Sequence, residues 1–173
     1  MSWSEAVSRR RALRGALALL ALVPAACGFQ PLYGEGAPAS RMAGRIDVGL
    51  IDGKAGFDLR ERLTNRLGTP VDPAYRLTVA LTLKSTGTAL TQENVTTRFD
   101  VIGVAEYTLT PVAGGRAVAS GVVRSVTGFN APDSVTSTAF AARAAEIDAE
   151  HRLAVTLADQ IVQRLALSAD RWA

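Results

Sequence analysis

Strict alternation of apolar and polar residues marks the middle of the chain. Between Tyr75 and Lys84 every second residue is large and apolar, and the positions between them carry Arg, Thr, Ala and Lys. A period of two is typical of a strand with one face on a core and the other facing polar surroundings. The residues predicted to face the core are Leu77, Val79, Leu81 and Leu83, and those predicted to face away are Arg76, Thr78 and Thr82.

Three further segments have a strand pattern. A short strand is predicted at Ile46–Leu50, where apolar residues alternate with Asp and Gly. A polar stretch reaches to Thr96, and a strand follows over about residues 97–110. The run Ala113–Arg116 contains two glycines and predicts a hairpin turn, so the last strand covers about residues 117–129. The apolar residues in phase on the third strand are Phe99, Val101, Ala105, Tyr107 and Leu109.

The first helix is predicted after the short strand. Leu59, Leu63 and Leu67 recur every fourth residue and form one apolar face. Asp58, with Glu61 three residues later, has the capping-box pattern of a helix start. Gly68 supplies the stop.

A long second helix is predicted from somewhere in residues 134–139. From Ile147 onward its apolar residues fall on one broad arc. The members of that arc are Ile147, Leu153, Ala154, Leu157, Ala158, Ile161, Val162 and Leu165. The complete order, β-α-β-β-β-α, predicts an α+β fold in which a four-stranded sheet is covered on one face by two helices. We expect residues 42–173 to form this single domain.

The first 26 residues have the parts of an export signal. Arg9–Arg14 is basic, and the apolar run Gly15–Val23 is shorter than the roughly 20 residues of a membrane-spanning helix. Two alanines then precede Cys27, the only cysteine, as in the site of a lipoprotein signal peptidase. We predict a signal peptide at 1–26, a lipid on Cys27, and a tether at 27–41, which is rich in Gly, Pro, Ala and Ser.

Two alternatives to the lipid remain open: ordinary secretion with a spare thiol, and a buried structural cysteine. Pro24 departs from the usual Leu at that position of the cleavage motif. The arginine run also loosely fits a twin-arginine signal, which leaves the export route open. Because Gly28 rather than Asp follows the cysteine, the outer membrane is the expected destination.

Charge argues against a nucleic-acid partner. The whole chain has a net charge of +3, but residues 1–26 hold four arginines and one glutamate. The remainder carries fifteen basic and fifteen acidic residues, so it has no long-range field to attract phosphate backbones. We therefore expect no nucleic acid among its partners.

Groups that carry chemistry are scarce. His151 is the only histidine, and it lies at the edge of the apolar arc, where a structural role is expected. With one histidine and one cysteine the chain offers no zinc-ligand pattern, and it contains no nucleophile elbow or phosphate loop. We expect no catalytic residue, no metal site and no cofactor.

Once Cys27 is placed, the run CGFQPLYG (residues 27–34) becomes informative. It resembles the mature N-terminus of the lipopolysaccharide-assembly lipoprotein family LptE, in its alphaproteobacterial branch. Residues 53–67 (GKAGFDLRERLTNRL) resemble the family's first-helix region, and residues 140–167 resemble its terminal helix. The resemblance spans nearly all of the chain after Cys27, and the predicted element order agrees with the family fold.

The resemblance implies a non-enzymatic role. LptE-like proteins sit in the lumen of the outer-membrane barrel LptD, assist its folding and help to deliver lipopolysaccharide to the cell surface. The implied partners are an LptD-like barrel, lipopolysaccharide and the membrane, through acyl chains such as palmitate on Cys27. The candidate residues for the phosphates of lipopolysaccharide are Lys84, Arg98, Arg116 and Arg124.

Two other classes of protein stay open. One is an auxiliary lipoprotein of an ABC-type lipid-trafficking system, which would be of similar size and fold. The other is a periplasmic lipid-modifying enzyme, against which the missing catalytic constellation argues. Solvated charge at strand edges is also a common role for the four candidate cations.

Overall fold

The computed structural model describes residues 38–90, 96–131 and 138–173. The predicted signal peptide, Cys27 and most of the predicted tether lie outside these described residues. The strands are β1 (Ile46–Val48), β2 (Tyr75–Leu90), β3 (Thr96–Pro111) and β4 (Ala119–Asn130). The helices are α1 (Pro38–Met42), α2 (Lys54–Leu67) and α3 (Thr138–Ser168), and a 3₁₀ turn follows at Ala169–Arg171.

The four strands form one mixed sheet in the order β1-β2-β3-β4. β1 runs parallel to β2, and the β2–β3 and β3–β4 pairs are antiparallel. α2 packs on α3, and α3 packs on β3 and β4. The predicted α+β fold is confirmed, and the core lies between the sheet and these two helices.

The predicted phase of β2 is confirmed. Leu77 and Val79 are buried, and Leu81 and Leu83 are half-buried under the same layer. The predicted end of the strand is wrong, because β2 stays paired with β3 as far as Leu90. Residues 84–88 are exposed on both faces, so backbone pairing extends the strand there without any apolar alternation.

The apolar face of α2 is confirmed, since Leu59, Leu63 and Leu67 are each at most 1% exposed. Its predicted start is wrong. α2 begins at Lys54, with Gly53 at the N-cap. The helix starts earlier because Gly56 has no side chain, and a Cβ there would stand 2.7 Å from the carbonyl oxygen of Ile51.

Asp58 therefore links two helices and does not cap one. Its carboxylate accepts a hydrogen bond from Lys54 Nζ at 3.3 Å and lies 3.2 Å from Nδ1 of His151 on α3. One turn further along, the guanidinium of Arg62 makes two hydrogen bonds to Asp159, at 3.1 and 2.9 Å. Asp159 also lies 3.4 Å from Arg66. Charged contacts thus connect α2 and α3 along their exposed side.

α1 occupies the last residues of the predicted tether, where no sequence pattern indicated a helix. Met42 at its end is only 2% exposed. Arg41 forms an ion pair with Asp170 at 2.5 Å, so α1 packs beside the C-terminal turn. At the same end the Tyr75 and Trp172 rings meet edge to face, with centroids 5.1 Å apart.

Candidate partner and ligand surface

One face of the sheet has no helix on it among the described residues. The even-numbered residues of β2, β3 and β4 project from this face, which we call the outer sheet face. In one row across it Lys84 lies opposite Ile102, which lies opposite Val126. The next row consists of Thr82, Val104 and Arg124. The row after that consists of Ala80, Glu106 and Val122.

The outer sheet face carries exposed apolar side chains. Ile102 is 37% exposed, Val122 46% and Val126 59%. Residues directly opposite on antiparallel strands have Cβ atoms about 5 Å apart, so Ile102 and Val126 contact across β3 and β4. Adjacent exposed apolar side chains of this kind are found on surfaces that partners or ligands cover.

This apolar cluster was not among the site residues predicted from the sequence. The available signal was that β3 and β4 carry large apolar residues in the phase opposite to the core. On β4 the inner positions include Gly121, Ser125 and Thr127, whereas Val122 and Val126 face outward. The alternation on β4 thus differs from the inward-apolar pattern of β2.

Two of the four candidate cations flank the apolar cluster. Lys84 is on β2 and Arg124 is on β4, two strand spacings or about 10 Å apart across the sheet. No carboxylate in the described ranges forms an ion pair with either side chain. The outer sheet face therefore presents apolar groups between two unpaired positive charges.

The other two candidates lie apart from that pair. Arg98 is on the same face near the N-terminal end of β3. Its guanidinium and the carboxylate of Asp100 both lie close to Gly128 on β4. A Cβ on Gly128 would stand 3.0 Å from that carboxylate, so the glycine leaves room for both side chains. Arg116 is exposed in the β3–β4 turn, and the structure does not bring it to the cluster.

The described residues contain no group of three or more His, Cys, Asp or Glu side chains that could hold a metal ion. His151 is 55% exposed and its neighbour is Asp58 on α2. In the same ranges, none of the helices combines the length and the apolar character needed to cross a membrane.

Known structures share this fold. A candidate lipoprotein from Caulobacter crescentus is 22% identical, with a TM-score of 0.63 over 79% of this chain and 98% of that one. The rare lipoprotein B from Shewanella oneidensis is 18% identical, with a TM-score of 0.53 over 71% and 94%. A minor lipoprotein from Acinetobacter baumannii is 12% identical, with a TM-score of 0.53 over 73% and 93%.

A sequence comparison with functionally curated proteins finds no match. The family model for lipopolysaccharide assembly, LptE, matches residues 43–165, which include every strand, α2 and nearly all of α3. The chain therefore belongs to the LptE family of lipopolysaccharide-assembly proteins.

Proposed function

We propose that this chain is a non-enzymatic outer-membrane lipoprotein, and that its domain occupies the lumen of an LptD-like barrel. There it assists assembly of the barrel and delivery of lipopolysaccharide to the cell surface. The observation that carries the proposal, beside membership of the family, is the outer sheet face, where Ile102 and Val126 share a row with Lys84 and Arg124 lies in the next row on the same strand as Val126.

This surface fits an amphiphile that carries both phosphate and hydrocarbon. Lys84 and Arg124 offer charge-assisted hydrogen bonds to phosphate oxygens. The exposed side chains of Val122 and Val126 offer apolar contact beside them. The same mixture suits the polar interior of an outer-membrane barrel, since a plug must keep a largely polar exterior.

In this proposal the chain is attached to the membrane by acyl chains on Cys27. Each buried CH₂ of an acyl chain contributes about 0.8 kcal/mol, and one chain alone binds only marginally, so several chains on one cysteine would hold the domain at the membrane. The lipid then raises the local concentration of the domain near its barrel, and the specific contacts come from the folded part.

Depletion of the chain in its own cell tests the proposal. A barrel that folds around an absent partner misassembles, so mature barrel and surface lipopolysaccharide should both fall. The outer membrane should become permeable to hydrophobic antibiotics. Re-expression of the wild-type chain should restore all three, which controls for indirect effects of depletion.

A pull-down from outer membranes separates the proposal from its alternative. We expect an LptD-like β-barrel as the main partner by mass spectrometry. Recovery of an ATPase complex in its place, with normal barrel levels after complete depletion, would favour an auxiliary lipoprotein of an ABC-type lipid-trafficking system.

A further inference from the structure

A polar pocket lies on the opposite side of the sheet from Lys84 and Arg124. It is a cavity of about 440 Å³ between the start of β4 and the C-terminal end of α3. Its polar side chains are those of Tyr107 on β3, Arg164 and Ser168 on α3, and Arg171 in the terminal turn.

The polar groups at this pocket are mostly hydrogen-bond donors without a partner. Neither Arg164 nor Arg171 forms an ion pair or hydrogen bond with any described residue, and no carboxylate lines the cavity. Ser168 is already engaged, because its hydroxyl donates to the Leu165 carbonyl at 2.9 Å and accepts from Trp172 Nε1 at 3.0 Å. Two guanidinium groups therefore face a cavity that contains no negative charge of its own.

Tyr107 gives the strongest indication of a ligand. Its side chain is only 6% exposed, yet its hydroxyl has no hydrogen-bond partner among the described residues. No polar side-chain atom in those residues is both fully enclosed and unpartnered, so the hydroxyl must be reached from the pocket that it lines. The hydroxyl is therefore free to donate a hydrogen bond to water or to a ligand in this pocket.

The fold holds the Tyr107 ring in this position. The ring leans across β4 at Gly121, where a Cβ would stand 2.8 Å from the phenolic oxygen. Burial raises the pKa of Tyr107, and Arg164 opposes that rise. At neutral pH the hydroxyl is therefore a protonated donor directed to the same cavity as the two arginines.

We propose that this pocket binds a phosphate monoester, with Arg164 and Arg171 on the phosphate oxygens and Tyr107 as a third donor. Arginine forks match phosphate oxygens in pairs, and a phosphate has enough oxygens for all three side chains at once. A carboxylate has a single negative charge, whereas a phosphate monoester has about two and so matches two guanidinium groups better. The ligand is either free phosphate or the phosphorylated sugar of a lipid headgroup, and the pocket is large enough for the sugar as well.

The simpler explanation for the two arginines is helix electrostatics. Cations near the C-terminal end of a helix are stabilised by its dipole, and that requires no ligand. The dipole acts on the two arginines only, however, and does not account for a third donor, the Tyr107 hydroxyl, lining the same pocket.

Titration calorimetry on the full-length chain in uncharged detergent at pH 7 and low salt tests the proposal. The probes are inorganic phosphate, glucosamine 1-phosphate and, as an uncharged control, glucosamine acetylated on nitrogen. We expect saturable binding of the phosphates and none of the neutral sugar. Tighter binding of the sugar phosphate than of inorganic phosphate would assign the pocket to a headgroup, and equal binding would assign it to free phosphate.

Variants make the test specific to these residues. Arg164→Gln and Arg171→Gln should each weaken binding about tenfold or more, as expected for a lost charge-assisted pair. Tyr107→Phe, which keeps the ring and removes only the hydroxyl, should weaken it several-fold. Arg143→Gln is the matched control, because Arg143 is also on α3 but pairs with Glu146 at 2.6 Å.

Absence of saturable phosphate binding, or an equal loss in Arg143→Gln, would overturn the proposal and leave the helix dipole as the explanation. The calorimetry tests phosphate binding by the pocket, whereas the proposed barrel function is tested by barrel level in the cell. A negative result in one experiment is therefore distinguishable from a negative result in the other.

Discussion

Gly103 on β3 lies directly under Leu153 of α3, so closely that a Cβ on the glycine would stand 2.7 Å from Cδ2 of the leucine. Leu157 is the next neighbour, at 2.9 Å. The absence of a side chain at one position of the sheet therefore sets how closely α3 approaches β3.

Gly103→Ala should destabilise the domain. The added methyl group must displace two buried leucines, and overpacking of this kind costs about 1–3 kcal/mol. The free energy of unfolding, measured in urea, gives the result. Thr78→Ala is the control on the outer sheet face and should change the free energy of unfolding by less than about 0.5 kcal/mol. An unchanged free energy of unfolding in Gly103→Ala would mean that α3 lies further from the sheet.

The inner layer of this fold could be predicted from sequence because one physical rule governs it. Residues that must leave water alternate along β2 and recur every third or fourth position on α2 and α3, as Leu77 and Leu59 illustrate. The start of α2 could not be predicted in this way. It depends on Gly56 approaching the Ile51 backbone, a contact between chain segments that no local capping pattern records.

Two leucines of the same strand should differ in what they contribute. Leu77 is fully buried, and Leu77→Ala should cost about 2–5 kcal/mol. Leu81 is half-buried beside a cavity near the start of α2, so Leu81→Ala should cost clearly less, below about 2 kcal/mol. Urea unfolding of both variants shows which one loses more unfolding free energy. A larger loss in Leu81→Ala than in Leu77→Ala would mean that the core is centred further along β2.

Stability should fall at alkaline pH through Tyr107. Burial raises the pKa of Tyr107 in the folded state, so the folded state holds its proton more tightly than the unfolded chain does. The contribution of Tyr107 to the free energy of unfolding is fully present below about pH 10, the ordinary pKa of tyrosine. It is lost as the pH rises through the higher folded-state pKa. In Tyr107→Phe the decline of the unfolding free energy above about pH 10 should be shallower. An identical slope would assign the decline to other groups.

Cys27→Ser tests the membrane anchor. Removal of the thiol should abolish acylation and leave either uncut precursor or a soluble periplasmic form. Mass spectrometry of the chain purified from membranes gives the result. A wild-type chain without acyl groups would contradict the lipoprotein prediction, and a soluble domain that no longer binds the barrel would show that the lipid supplies more than proximity.

The candidate site was only partly predictable. Lys84 and Arg124 could be selected as cations on polar strand positions, but their relation depends on a register between three strands that the sequence alone does not set. Arg116 was predicted in the hairpin turn, and it lies between β3 and β4 as that prediction requires. Val122 and Val126 were missed because an apolar residue on β4 could face either way until the pairing with β3 was known. Ile102 is out of phase with the core residues of β3, but only the register shows that it lies opposite Val126.

Val126→Glu on the outer sheet face should separate function from folding. Val126 is 59% exposed, so the substitution should change the free energy of unfolding by no more than about 1 kcal/mol. It places a negative charge beside Ile102, however, in the row that Lys84 completes, where the proposed function needs apolar contact and a surface that accepts phosphate. Expressed in depleted cells, this variant should fail to restore barrel level and surface lipopolysaccharide.

Val71→Glu is the matched control, since Val71 is 95% exposed in the loop between α2 and β2 and undergoes the same chemical change away from the sheet. Full restoration by both variants would remove the outer sheet face from the proposal, and failure of both would indicate a general intolerance of added negative charge. Restoration by Val71→Glu alone is the expected result, because only Val126 lies on the proposed contact surface, in the row of Lys84 and on the same strand as Arg124.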